Sequence, residues 1–180
     1  NFPYLGDVFQ SDGGLEASMR NRIRATWSKW KDIASILMQK NIPLNNRCQL
    51  YKSCVRPVLL YASETWPMTQ CVENMLRRTE MKMLRWMMHI QLSDKVSCDE
   101  ILRRLQLENM TETLRKNRLR WYGHIERSKD QNVITVKGMK IDGKLPRGRP
   151  KTTWIKTIKC DLEAHYSSTP RREKNNVLLD

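Results

Sequence analysis

Two apolar stripes at helical spacing constrain this chain more than any other feature. Met19, Ile23, Trp27, Trp30, Ala34 and Leu37 recur at intervals of four and three, so they share one face of one helix. Val72, Leu76, Met83, Trp86, Met87 and Ile90 repeat that pattern over about five turns of a second. A one-sided helix has to be covered by another element, and the neighbouring segments also read as helical. Six Trp against two Phe, with ten Met and only seven Gly, favour packed helices over a turn-rich sandwich. The fold class is therefore all-α: a helical bundle followed by a smaller basic helical module.

The punctuation supports this division. Asp12-Gly13-Gly14 is a turn ahead of the first helix, and Ile42-Pro43 ends it. Leu44 to Tyr61 reads as a second helix bent at Arg56-Pro57, because Pro57 has no N–H to donate. Thr69 is placed to cap the third helix, and Ser97 with Glu100 forms a capping box for a short one through Leu105. A further helix spans about Glu112 to Ser128. Val133-Ile134-Thr135-Val136 reads as a single short strand. Asp142 to Lys151 is a Gly/Pro/basic connector, and Pro150 suits the first turn of a last helix that carries Trp154, Ile155, Ile158 and Leu162 inward. The expected organisation is a bundle over residues 1–92, a basic module over 93–166 and a flexible tail over 167–180.

Charge narrows the partners. The formal net charge is +14 and the isoelectric point about 9.9. Residues 1–114 carry a net +4, residues 115–160 a net +11 and the remainder −1. An excess gathered into a quarter of the chain points first to nucleic acid, ahead of an anionic membrane surface or an acidic protein. No apolar run approaches ~18 residues, so no membrane span is expected. Five cysteines without tight pairing (Cys48, Cys54, Cys71, Cys98, Cys160) fit reduced thiols in a nuclear or cytoplasmic setting. Cys48 and Cys54 are six apart, and Cys160 and His165 five apart, spacings unlike those of structural zinc sites, so no metal is expected.

On the helix from Glu112 to Ser128, Lys116, Arg120, Gly123 and Arg127 fall on one side, with Leu114, Trp121 and Ile125 on the other. That basic side reads as a phosphate rail, with Gly123 admitting close backbone approach and His124 beside it. Tyr122, at the boundary, is the candidate for stacking on a base, while Trp121, Trp27, Trp30 and Trp86 are expected in the core. Pro146-Arg147-Gly148-Arg149-Pro150 matches the centre of an AT-hook: an extended Arg-Gly-Arg fits a narrow minor groove, and Lys144 and Lys151 would add phosphate contacts.

Four stretches in order resemble one family: Arg56-Pro57-Val58-Leu59-Leu60-Tyr61-Ala62-Ser63-Glu64-Thr65-Trp66, Met83-Leu84-Arg85-Trp86-Met87, Arg118-Leu119-Arg120-Trp121-Tyr122-Gly123-His124 and Arg147-Gly148-Arg149-Pro150-Lys151-Thr152-Thr153-Trp154. They resemble the C-terminal part of non-LTR (LINE-type) retrotransposon reverse transcriptases, most like the RTE group, and the opening Tyr4-Leu5-Gly6 is similar to the segment after the palm. The resemblance implies a thumb-like bundle and a C-terminal region holding template RNA, primer or target DNA. Arg20, Arg24 and Lys31 would line the thumb side facing the duplex, and Arg118 belongs to the C-terminal basic motif. It also implies a parent RNA-directed DNA polymerase that uses Mg, with palm and fingers upstream of Asn1. The palm itself is missing here. The Asp residues are scattered, and no Tyr-x-Asp-Asp is present to hold two metal ions, so no catalytic residue and no cofactor are assigned to this chain. Two other readings stay open: a protein-interaction module whose basic segment docks an acidic partner, and a decayed element remnant.

Overall fold

A computed structural model describes residues 2–4, 7–9, 16–66, 68–139 and 152–168. Helices dominate: α1 (Glu16–Leu37), α2 (Leu44–Leu50), α3 (Arg56–Leu60), α4 (Gln70–Met88), α5 (Cys98–Arg104), α6 (Met110–Arg127), α7 (Gln131–Gly138) and α8 (Trp154–Ser168). The class is all-α, with one addition that the sequence did not signal. Strands β1 (Phe2–Tyr4) and β2 (Asp7–Phe9) pair antiparallel, Pro3 opposite Val8. Three residues a side are too few to print an alternation. The connector from Asp142 and the tail beyond Ser168 lie outside the described residues. Among those described, no helix is long and apolar enough to cross a membrane.

The chain forms two compact units, Asn1–Ala62 with Thr69–Thr113, and Ser63–Met68 with Leu114–Asp180. In the first, Trp30 and Leu37 of α1 meet Met83, Leu84 and Met87 of α4, with Tyr51, Val55, Ile101 and Leu105 completing the core. Thr69 caps α4 as its sequence position implies, its hydroxyl accepting from Val72 N. Ser97 likewise accepts from Glu100 N, but the box is not closed. The Glu100 carboxylate takes hydrogen bonds from Arg103 and Arg104 instead, which hold it down to about 2.

Between α2 and α3 the helix does not break at the proline. It widens through a π-turn (Tyr51–Val55) in which Arg56 N donates to Tyr51 O. Pro57 has no amide hydrogen and its ring would press on the carbonyl four residues earlier, and a wider turn relieves both problems. Arg56 is thereby delivered inward. Its guanidinium pairs with Glu80 at 3.1 Å and donates to Glu108 O at 2.6 Å, and the Tyr51 hydroxyl lies 3.2 Å from the same carboxylate. Arg47 of α2 is a second internal brace, donating to Leu37 O and Met87 O and so capping the C-terminal ends of α1 and α4 together.

Several expectations are corrected here. Val133–Val136 is helical, within α7: Asp130 caps it by accepting from Asn132 N, and Lys137 pairs with Glu126 at 2.6 Å, so local capping outweighs β-branched propensity. Trp86 is 44% exposed rather than core, Trp121 is 38% exposed, and Ile155 of α8 is 49% exposed rather than inward. Trp30 is buried as expected, and Trp27 is half-buried against Trp86.

Burial pushes the Glu80 carboxyl up despite Arg56 and the Tyr51 hydroxyl, which pull it down. A raised carboxyl binds its proton more tightly in the folded state, so its contribution to stability is complete below the ordinary carboxylate range. That contribution is lost as pH rises through the elevated value. Glu80→Gln removes this titration; the stability of the parent relative to Glu80→Gln should therefore fall from pH 4 towards neutrality in urea melts. A gap that widens with pH would contradict the assignment.

Candidate nucleic-acid interface

Arg115 and Arg118 sit three residues apart on α6 and meet one acceptor on α8. Arg118, only 4% exposed at its side chain, reaches Asp161 Oδ2 at 2.6 Å, and Arg115 Nε lies 3.4 Å from Oδ1. A buried guanidinium needs such a partner, since the desolvation cost of an unpaired one is several kcal/mol. The expected role of Arg118 in nucleic-acid contact is therefore corrected: it is withdrawn from the surface and fastens α8 to α6.

The other cations of the helix point away. Lys116, Arg120 and Arg127 are exposed, and among the described residues neither Arg120 nor Arg127 has an ion-pair partner. At spacings of four and seven these three follow one stripe, as the sequence pattern required. Gly123, half-buried on the same stripe, plays a more specific part than expected. A Cβ there would meet Arg127 Nη1 at 3.2 Å. The glycine makes room for the Arg127 guanidinium to lie back along the helix.

Beside this stripe runs an open groove of about 520 Å³, lined by Glu64, Asn117, Arg120, Trp121, His124 and Arg127. The rings of Trp121 and His124 stack, centroids 5.3 Å apart and planes 25° from parallel. Tyr122, the expected stacking residue, is turned the other way. Its ring lies 6.2 Å from Trp154, and burial with the neighbouring Glu126 carboxylate pushes its hydroxyl up. The aromatic face available in the groove is that of Trp121. Trp154 Nε1 donates to Glu64 O at 2.6 Å, so residues from three of the sequence motifs (Glu64, Arg120 with Trp121 and His124, and Trp154) meet around this part of the unit.

Arg20, Arg24 and Lys31 are exposed on α1 of the first unit, where Arg24 Nη1 lies 3.4 Å from Asn21 Oδ1. Lys144, Arg147, Gly148, Arg149 and Lys151 lie outside the described residues. No group of three or more His, Cys, Asp or Glu positioned to hold a metal ion occurs among the described residues. Sequence reasoning missed Asn117 and the exposure of Trp121 in the groove. It also missed a cluster of cations on α4: Arg77, Arg78, Lys82 and Arg85. Their spacing along one helix was the available signal, and averaging with Glu73 and Glu80 hid it.

Against known proteins, no family model matches the chain, and no solved structure does. The chain is similar to a putative uncharacterized transposon-derived protein of Caenorhabditis elegans, 28% identical over an aligned length of 140 residues, with 74% of this chain and 49% of that protein covered. It thus spans about half the length of the curated relative that it matches.

The Asp161 brace carries a direct prediction. Asp161→Ala leaves Arg118 buried without its acid and should destabilise the second unit by about 3–5 kcal/mol. Chemical denaturation followed by far-UV circular dichroism measures this, and a loss below about 1 kcal/mol would show that the pair is not structural.

Proposed function

We propose that this chain is a nucleic-acid-holding, non-catalytic portion of a retrotransposon reverse transcriptase. In this reading α6 lays its exposed stripe along a sugar–phosphate strand. The observation that carries it is the division of the α6 cations: Arg118 is spent on Asp161, whereas Arg120 and Arg127 face the groove and have no carboxylate partner among the described residues. The net +11 of residues 115–160 supports it, as does the similarity to a transposon-derived protein.

Arg120 and Arg127 supply phosphate contacts that set position rather than sequence. Trp121, stacked on His124, offers its outer face to an unpaired base. The Glu64 side of the groove repels phosphate, so the strand follows the arginine side. Residues 144–151, with the Arg147-Gly148-Arg149 core, extend the contact on sequence grounds. The first 92 residues would serve as the thumb-like bundle and residues 93–166 as the basic module. The parent polymerase's Mg would then be held by palm residues in the remainder of the enzyme, and the working partners are RNA and DNA in the cell nucleus or cytoplasm.

Binding to duplex DNA, RNA–DNA hybrid and single-stranded oligonucleotides between 50 and 200 mM salt should weaken steeply, roughly 0.9 log units per log unit of salt for each duplex phosphate engaged. Arg120→Ala with Arg127→Ala should lower that slope by about 2 for duplex. Trp121→Ala should cost about 1–3 kcal/mol with single strands and leave duplex affinity unchanged. A flat salt response, or a double variant indistinguishable from the parent, removes the proposal.

A further inference from the structure

The α4 groove lies wholly in the first unit and has no part in the reading above. It encloses about 640 Å³ between α4 and the turn at Leu92–Asp94. Its floor is apolar: Met81, Trp86, Ile90 and Leu92. Leu92 is 81% exposed and Trp86 44% exposed, two large apolar side chains of the groove left in water.

The rim is cationic. Arg77, Arg78 and Lys82 are exposed, and Arg85 is half-buried, its Nη2 donating to Val96 O at 2.7 Å. The ammonium of Lys82 lies 5.2 Å from the Trp86 ring centroid and 5.6 Å from that of Trp27, which holds it at the groove edge. Among the described residues no carboxylate forms an ion pair with any of the four. The acids of α4 are otherwise engaged: Glu73 accepts from Thr111 Oγ1, and Glu80 is buried. Asp94 of the adjoining turn accepts from Gln91 N.

We infer that this groove docks an acidic amphipathic segment of a partner protein. The charge complementarity is on the rim, where arginine forks take carboxylates in pairs. The floor decides against nucleic acid: a phosphate strand satisfies the four cations but leaves Met81, Ile90 and Leu92 without a counterpart. An amphipathic helix with apolar residues at intervals of three and four covers the floor while its Asp and Glu side chains reach the rim.

The test uses the full chain and a fluorescein-labelled peptide of about 16 residues, Leu and Phe on one helical face and Glu on the other. A second peptide has Ser in place of every Leu and Phe. The first should bind with a dissociation constant on the order of 10 μM and the Ser peptide at least about tenfold more weakly. Arg78→Glu with Lys82→Glu should weaken the first peptide about tenfold or more, and Leu92→Asp about fivefold. A blue shift of tryptophan emission on binding should disappear in Trp86→Phe. Arg120→Ala with Arg127→Ala should leave peptide binding unchanged, which separates this groove from the α6 interface. Equal binding of both peptides, indifference to Leu92→Asp, or displacement of the peptide by excess single-stranded DNA overturns the inference; displacement would make nucleic acid the occupant.

Discussion

A single carboxylate determines what α6 can do. The helix carries cations around more than half its circumference, and it cannot pack against anything unless some of them are neutralised. Asp161 does this for Arg115 and Arg118, using both oxygens, and so lets α8 lie against the helix. What remains outside is a stripe rather than a cylinder of charge. The groove with Trp121 thereby gains a fixed relation to Arg120 and Arg127, which pair with no carboxylate among the described residues.

The same division runs through the arginines of the sequence motifs. Arg118 reads as a nucleic-acid contact in the sequence, yet it is internal, and so is Arg56 of another motif. Arg56 bridges Glu80 and the Glu108 carbonyl, and Arg47 ties two helix ends. Guanidinium suits such places because it stays charged and presents several donors in one plane. Resemblance to a family that binds nucleic acid therefore says little about which of its arginines touch the ligand. Burial and partners decide that.

The sequence was most legible where one physical rule acts alone. The periodicities of α1 and α4 located both helices, and the cap at Thr69 was placed correctly because it depends only on the next three residues. It was least legible where a neighbour distant in sequence intervenes. Trp86 lies on the apolar stripe of α4, but no described residue covers its outer edge, and it is half in water. Tyr122 packs toward Trp154, a partner 32 residues on, whereas Trp121, expected in the core, is 38% exposed. The basic groove of α4 was invisible to net charge, which counts the buried Glu80 at the same weight as the exposed Arg78. For the α6 stripe the pattern at 116, 120 and 127 was readable, whereas the fate of Arg118 required knowing where Asp161 would lie.

The π-turn at Tyr51–Val55 bears on how this protein tolerates changes in length. It holds one more residue per turn than the helices on either side, and that surplus lets Val55 and Arg56 both face inward although they are adjacent. Removing one exposed residue of the five, such as Ser53, would let the segment relax to ordinary winding, and four residues at α spacing turn about as far as the five do now. Arg56 would keep facing Glu80, and Leu59 would stay in the core with it. A one-residue gap is therefore absorbed in this segment, whereas the same gap inside α4 would rotate everything after it by roughly 100°.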